Sequence, residues 1–187
     1  MPSASLTRWM NDRTPRLNEV DGQCIACHAV VPANPNLVDE NIRGFILLLS
    51  AHFQGFCRDL YTECAQIIAS KVRPTLQVLF QQQFTAGRSL DHGNPNIDSI
   101  KKDFNRFGFS LNMAVSDPAN NARLADLRRL NEWRNIVAHH GAVPPGGLPL
   151  LPTIQGWRIS CNGLATSLDG IMYNRLRGIL RRNPWVP

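Results

Sequence analysis

Asp39-Glu40-Asn41-Ile42-Arg43-Gly44-Phe45-Ile46-Leu47-Leu48-Leu49-Ser50-Ala51-His52-Phe53-Gln54-Gly55-Phe56-Cys57-Arg58-Asp59-Leu60-Tyr61-Thr62-Glu63-Cys64-Ala65-Gln66-Ile67-Ile68 is the stretch whose reading decides the fold class. Its apolar residues recur at Ile42, Phe45, Ile46, Leu49, Phe53, Phe56, Leu60, Tyr61, Cys64, Ile67 and Ile68, the spacing of a helix that buries one broad face. Asp39 and Glu40 place acids in its first turn, where the helix dipole favours them. Pro74 ends or kinks it, and a shorter helix is predicted on to about Phe84.

Outward from this helix the same period returns. Upstream, Leu6 to Leu17 is a modest helical candidate interrupted by Pro15, and Asp21 to Pro35 reads as a loop. Downstream, Thr85 to Pro95 reads as a loop, and Asn96 or Asp98 caps a short helix through Phe104 and Phe107 that Gly108 breaks. Ser110 to Met113 forms a turn, and Ser116-Asp117-Pro118 starts a helix that runs to about His140 and stops at Gly141. Leu148 to Thr153 is an extended connection before a last helix from Ile154 to Leu180. There is no internal repeat and no strand series. The expectation is an all-α bundle of about five helices in one domain over 1–187, with an N-terminal helix and Cys-containing loop at 1–37 and the bundle core at 38–182.

The balance of 43% hydrophobic and 18% charged residues is that of a globular chain and excludes a disordered one. No apolar run reaches the roughly 18 residues a membrane span needs. The N-terminus carries no signal-peptide pattern, so the cytoplasm is the expected location and no membrane partner is expected. Net charge is +6, with 17 arginines against 3 lysines and a crowd of Arg175, Arg177, Arg181 and Arg182 near the end. That excess suits a polyanionic partner and equally the arginine codons of a GC-rich genome, and the C-terminal arginines read more readily as a solvated face than as a phosphate track.

On a wheel of the helix 124–140, Leu127, Leu130, Trp133 and Val137 gather on one side. Arg128, Asn131, Asn135 and His139 form a polar strip on another. Arg134 projects between them, at the edge of the apolar face, where a charge implies a partner or a second chain. These residue types suit phosphodiester cleavage. Histidine titrates near neutral pH and moves a proton. Arginine holds a phosphate and the charge of its transition state. Asparagine orients a 2′-hydroxyl or a phosphate oxygen. No metal or other cofactor is needed for a 2′-hydroxyl to attack the adjacent phosphorus.

The stretch Asn131-Glu132-Trp133-Arg134-Asn135-Ile136-Val137-Ala138-His139-His140-Gly141 resembles the R-N-x-x-x-H signature of HEPN domains, helical RNA-processing and defence proteins. The long helix 42–68, Phe104-Asn105-Arg106-Phe107-Gly108-Phe109 and the segment 157–177 resemble the family as well. The likeness covers most of 38–180 and is closest to the ribonuclease toxins named for RiboL-PSP. The resemblance implies an antiparallel bundle that dimerises with its signature helices face to face, cutting RNA as a toxin or phage-defence effector, with a protein antitoxin as a further partner. It implies Arg134 and His139 as catalytic and Asn135 as supporting. Arg128, Asn131 and His140 are the expected RNA contacts, and His140 is the alternative proton carrier to His139. Some HEPN toxins carry a modifiable tyrosine two positions after the histidine; here that position is Gly141.

Two other readings stand beside this one. A non-catalytic HEPN module would bind RNA or a partner protein without cutting. Separately, Cys24-Ile25-Ala26-Cys27-His28 matches the attachment pattern of c-type haem, which would require export, and offers two thiolates and an imidazole to a structural zinc. With five cysteines and no secretion signal, reduced thiols packed against the bundle are the alternative.

Overall fold

The computed structural model describes residues 1–30, 32, 34–92, 94–139 and 144–185; most of these are helical, with no strand among them. The helices are α1 (Ala4–Arg8), α2 (Thr14–Ala29), α3 (Pro35–Ala69), α4 (Pro74–Thr85), α5 (Ile97–Phe104), α6 (Met113–Ser116), α7 (Asn120–Ala138) and α8 (Leu151–Leu180). The all-α class expected from the sequence is the one observed.

Several boundaries differ from expectation, each for a local reason. Asp21 to Ala29 is helical rather than loop, because a π-helical turn over Trp9–Arg13 joins α1 to α2 and sets Pro15 early in α2. There the missing proline N–H costs no regular bond. α3 begins at Pro35, ahead of Asp39, because the Asn34 side chain accepts from the Asn36 and Leu37 N–H groups. α8 begins at Leu151, so Leu151 to Thr153, expected to be extended, is its first turn, with Pro152 at a position that needs no N–H partner. α7 also begins later than expected, at Asn120 with Ala119 at its N-cap and no side-chain cap, because Ser116 closes the separate short helix α6. Around α5 the punctuation holds. Asn96 caps α5, accepting from Ser99 N at 2.8 Å. Gly108, at φ 74°, ends the turn after α5 where a side chain would be strained.

Side-chain pairs give the relative directions. Along α7 and α8, Asn120 meets Ser167 (2.6 Å) and Asp126 meets Ser160 (2.7 Å), so the two run antiparallel. Between the N-terminal helices and α3, Glu63 accepts from Ala4 N, Ser5 N and the Ser5 hydroxyl, while Cys24 donates to the Asn41 carbonyl, again antiparallel. One continuous core joins all four long runs, from Leu6, Trp9 and Leu17 through Phe45, Phe53, Phe56 and Tyr61 to Leu130, Trp157, Leu164 and Leu168. The N-terminal segment is part of this core. Trp9 is 1% exposed, packs on Phe53 and Phe56, and donates from Nε1 to Asn162 at 3.0 Å.

Asp59 and Glu63 on α3, one turn apart, both serve structure. Asp59 pairs with Arg8 (3.0 Å) and Arg13 (2.8 Å), and Glu63 caps α1. Also on α3, His52 has Nδ1 buried without a hydrogen-bond partner among the described residues. Burial first, then the charges of Arg13 and Arg16, push its pKa below the ordinary 6.5. The unfolded chain therefore takes up the proton more readily than the folded one. The stability this group contributes is complete above pH 6.5 and is lost as pH falls through the lowered folded value. Urea midpoints are expected to fall as pH drops from about 7 to about 5, and His52→Gln is expected to flatten that slope.

Candidate functional site

α7 carries the site because its two faces have different work. Leu127, Leu130 and Val137 are buried against α3 and α8, and Trp133 is half-buried beside them. Arg128, Asn135 and His139 are exposed, and Arg134 is half-buried at the boundary, as its wheel position requires. His139 is the first residue past the helix, with its N–H on the Asn135 carbonyl at 3.1 Å. Its ring makes no hydrogen bond among the described residues, so it is not engaged with the last helix carbonyls. His140 and Gly141 lie outside the described residues.

Arg134 has no acidic partner among the described residues; its Nη1 reaches Asn135 Oδ1 at 3.5 Å, at the limit of a hydrogen bond. Arg128 likewise makes no salt bridge among them. An arginine half-removed from water with only a neutral amide beside it leaves most of its five donors for something else.

Asn131 departs from the expected exposed strip: it is 6% exposed. The Asn94–Asn96 segment, read in the sequence only as a loop and cap, lies over it. Asn94 Nδ2 donates to Asn135 Oδ1 at 2.7 Å and to the Asn131 carbonyl at 3.4 Å, and Asn131 Nδ2 donates to the Pro95 carbonyl at 3.3 Å. Between this segment and α7 runs a groove of about 320 Å³, lined by Asn94, Ile97, Asp98, Leu124, Leu127, Arg128, Asn131, Glu132 and Asn135. The structure thus brings Arg128, Asn131 and Asn135 to one groove and adds Asn94 and Asp98, which no spacing along α7 signals. Arg134 and His139 stand outside it, toward the C-terminal end of α7.

The cysteine cluster is organised differently. Cys24, Cys27 and His28 share one face of α2. Cys24 is buried, its thiol donating to the Asn41 carbonyl at 3.6 Å. Cys27 Sγ accepts from Asn41 Nδ2 at 3.4 Å, and His28 Nδ1 lies 2.7 Å from the Cys24 carbonyl. Among the described residues no group of three or more His, Cys, Asp and Glu side chains is placed to hold a metal ion. Burial, with Asp21 and Cys27 adding to it, pushes the Cys24 thiol up to about 11, and burial raises Cys57, Cys64 and Cys161 further. A thiol held protonated is unreactive. Of the five cysteines, Cys27 alone is expected to react quickly with Ellman's reagent in the native protein, and all five in guanidinium.

No protein-family model, curated protein or solved structure matches this chain. No helix among the described residues is long and apolar enough to cross a membrane.

Proposed function

We propose that this chain is a HEPN-type endoribonuclease, metal-independent and dimeric, acting in the cytoplasm as a toxin or phage-defence effector held in check by a protein antitoxin. The observation that carries the reading is Arg134: half-buried, without a carboxylate partner among the described residues, in contact with Asn135 at the edge of an open groove, and five positions before the exposed His139 at the end of α7. A two-fold dimer through this face would bring two Arg134/His139 sets to one scissile phosphate. One imidazole takes the proton of the 2′-hydroxyl as its oxygen bonds to phosphorus; the second, protonated, gives its proton to the departing 5′-oxygen. Arg134 holds the charge that gathers on the non-bridging oxygens. The products are a 2′,3′-cyclic phosphate and a 5′-hydroxyl.

A second reading, a module that binds RNA or a protein without cutting, draws on Asn135, whose Oδ1 already accepts from Asn94 and faces Arg134. Purified protein incubated with total RNA separates the two. Fragmentation that persists in EDTA supports the ribonuclease; retained but intact RNA supports the module.

A further inference from the structure

We propose that the groove between α7 and the Asn94–Asn96 segment is a nucleobase subsite that accepts a base with an exocyclic amino group and rejects its keto counterpart. The inference rests on the ribonuclease reading for its place beside a scissile phosphate, but the groove's own chemistry defines the ligand.

Two buried side-chain oxygens, Asn94 Oδ1 and Asn131 Oδ1, have no hydrogen-bond partner among the described residues. Their orientation is not arbitrary. Each amide nitrogen faces acceptors: Asn94 Nδ2 faces Asn135 Oδ1 and the Asn131 carbonyl, and Asn131 Nδ2 faces the Pro95 carbonyl. Turning either amide over would set oxygen against oxygen. Both oxygens are therefore fixed as acceptors, and a buried acceptor left unmade is costly. Asn131, 94% buried on the same measure that leaves it 6% exposed, is the stronger of the two signals.

The rest of the groove asks for the same ligand. Asp98 and Glu132 add carboxylate acceptors, and Ile97, Leu124 and Leu127 offer apolar surface to the face of a ring. Two acids against the single cation Arg128 disfavour a phosphate inside the groove; the phosphate belongs with Arg134 and His139 beyond its end. A ligand that is flat, uncharged and rich in N–H donors fits, and cytosine and adenine present such an amino edge where uracil and hypoxanthine present a keto oxygen. The volume of about 320 Å³ sits at the lower end of ordinary ligand pockets, enough for one base. The base reaches the two sealed oxygens as the Asn94–Asn96 segment gives way, and two of the three bonds that tie it to α7 are long, at 3.3 and 3.4 Å.

The test has two arms. Cytidine and uridine 3′-monophosphates, and adenosine and inosine 3′-monophosphates, are titrated against the full chain by NMR. In parallel, matched oligoribonucleotides differing by one C→U change beside a mapped cut are compared as substrates. The expected result is amino-base binding about tenfold or more tighter, with a similar ratio in cleavage, since a keto oxygen leaves the acceptors unmade. Asn131→Ala and Asn94→Ser are expected to narrow both ratios. Should the first fail to fold by circular dichroism, the second and the substrate exchange still decide. A binding ratio near one overturns the subsite whether or not RNA is cut. Selective nucleotide binding with no RNA cleavage under any condition leaves the subsite standing and overturns the ribonuclease.

Discussion

His139→Ala is expected to slow RNA cleavage by about 10²–10⁴-fold, the usual contribution of a positioned acid or base. Arg134→Ala is expected to cost about 10²–10³-fold, the loss of one donor aimed at developing charge. Combining them should add little, because residues that act as a unit are not additive. Neither change should disturb the fold: among the described residues the exposed His139 ring, past the end of α7, makes no hydrogen bond, and the Arg134 side chain makes one, the 3.5 Å contact to Asn135. Single-turnover rates on a fixed oligoribonucleotide, with thermal melts alongside, check both points. A loss of rate accompanied by a comparable loss of melting temperature would make these residues structural.

Trp9→Ala is expected to destabilise the chain by about 3–5 kcal/mol, the range for a large aromatic removed from a packed core. The size follows from its surroundings. Trp9 is 1% exposed, meets Phe53 and Phe56 at ring-centroid distances of 6.0 and 5.7 Å, and its Nε1 bond leaves Asn162 Oδ1 unmet when removed. A cost below about 1 kcal/mol in urea titration would mean that the segment before α3 is an appendage rather than a core wall. The sequence alone separates 1–37 from the bundle, so this substitution tests a point that only the tertiary structure supplies.

The periodic helices are legible without coordinates because burial on one face leaves a regular trace: the bodies of α3, α5, α7 and α8 lie where the apolar spacing puts them, and Asn96 and Gly108 bound α5 and the turn after it, while the first turns of α3, α7 and α8 fall elsewhere. α2 is not, since a polar stretch with a proline reads as loop and nothing local reveals that a π-helical turn will absorb Pro15. The site divides in the same way. Arg128, Arg134 and Asn135 share α7, so their mutual placement is arithmetic at 100° per residue, and His139 follows directly at its C-terminal end. Asn94 lies 41 positions from Asn135, and only folding brings its amide within 2.7 Å. Asn131 falls on the polar strip by spacing yet is buried by that same segment. The Cys24-Cys27-His28 spacing looks like a ligand set, but it lies on a helix whose thiols are engaged by Asn41.

The chemistry of the cut ends decides whether Arg134 and His139 cleave RNA through its own 2′-hydroxyl. Wild-type protein and Arg134→Ala are incubated with a defined RNA in EDTA, and the product termini are mapped. The account predicts 2′,3′-cyclic phosphate and 5′-hydroxyl ends from the wild type and intact RNA from the variant over the same interval. Ends carrying a 3′-hydroxyl and a 5′-phosphate, or equal cleavage by the two proteins, would contradict it.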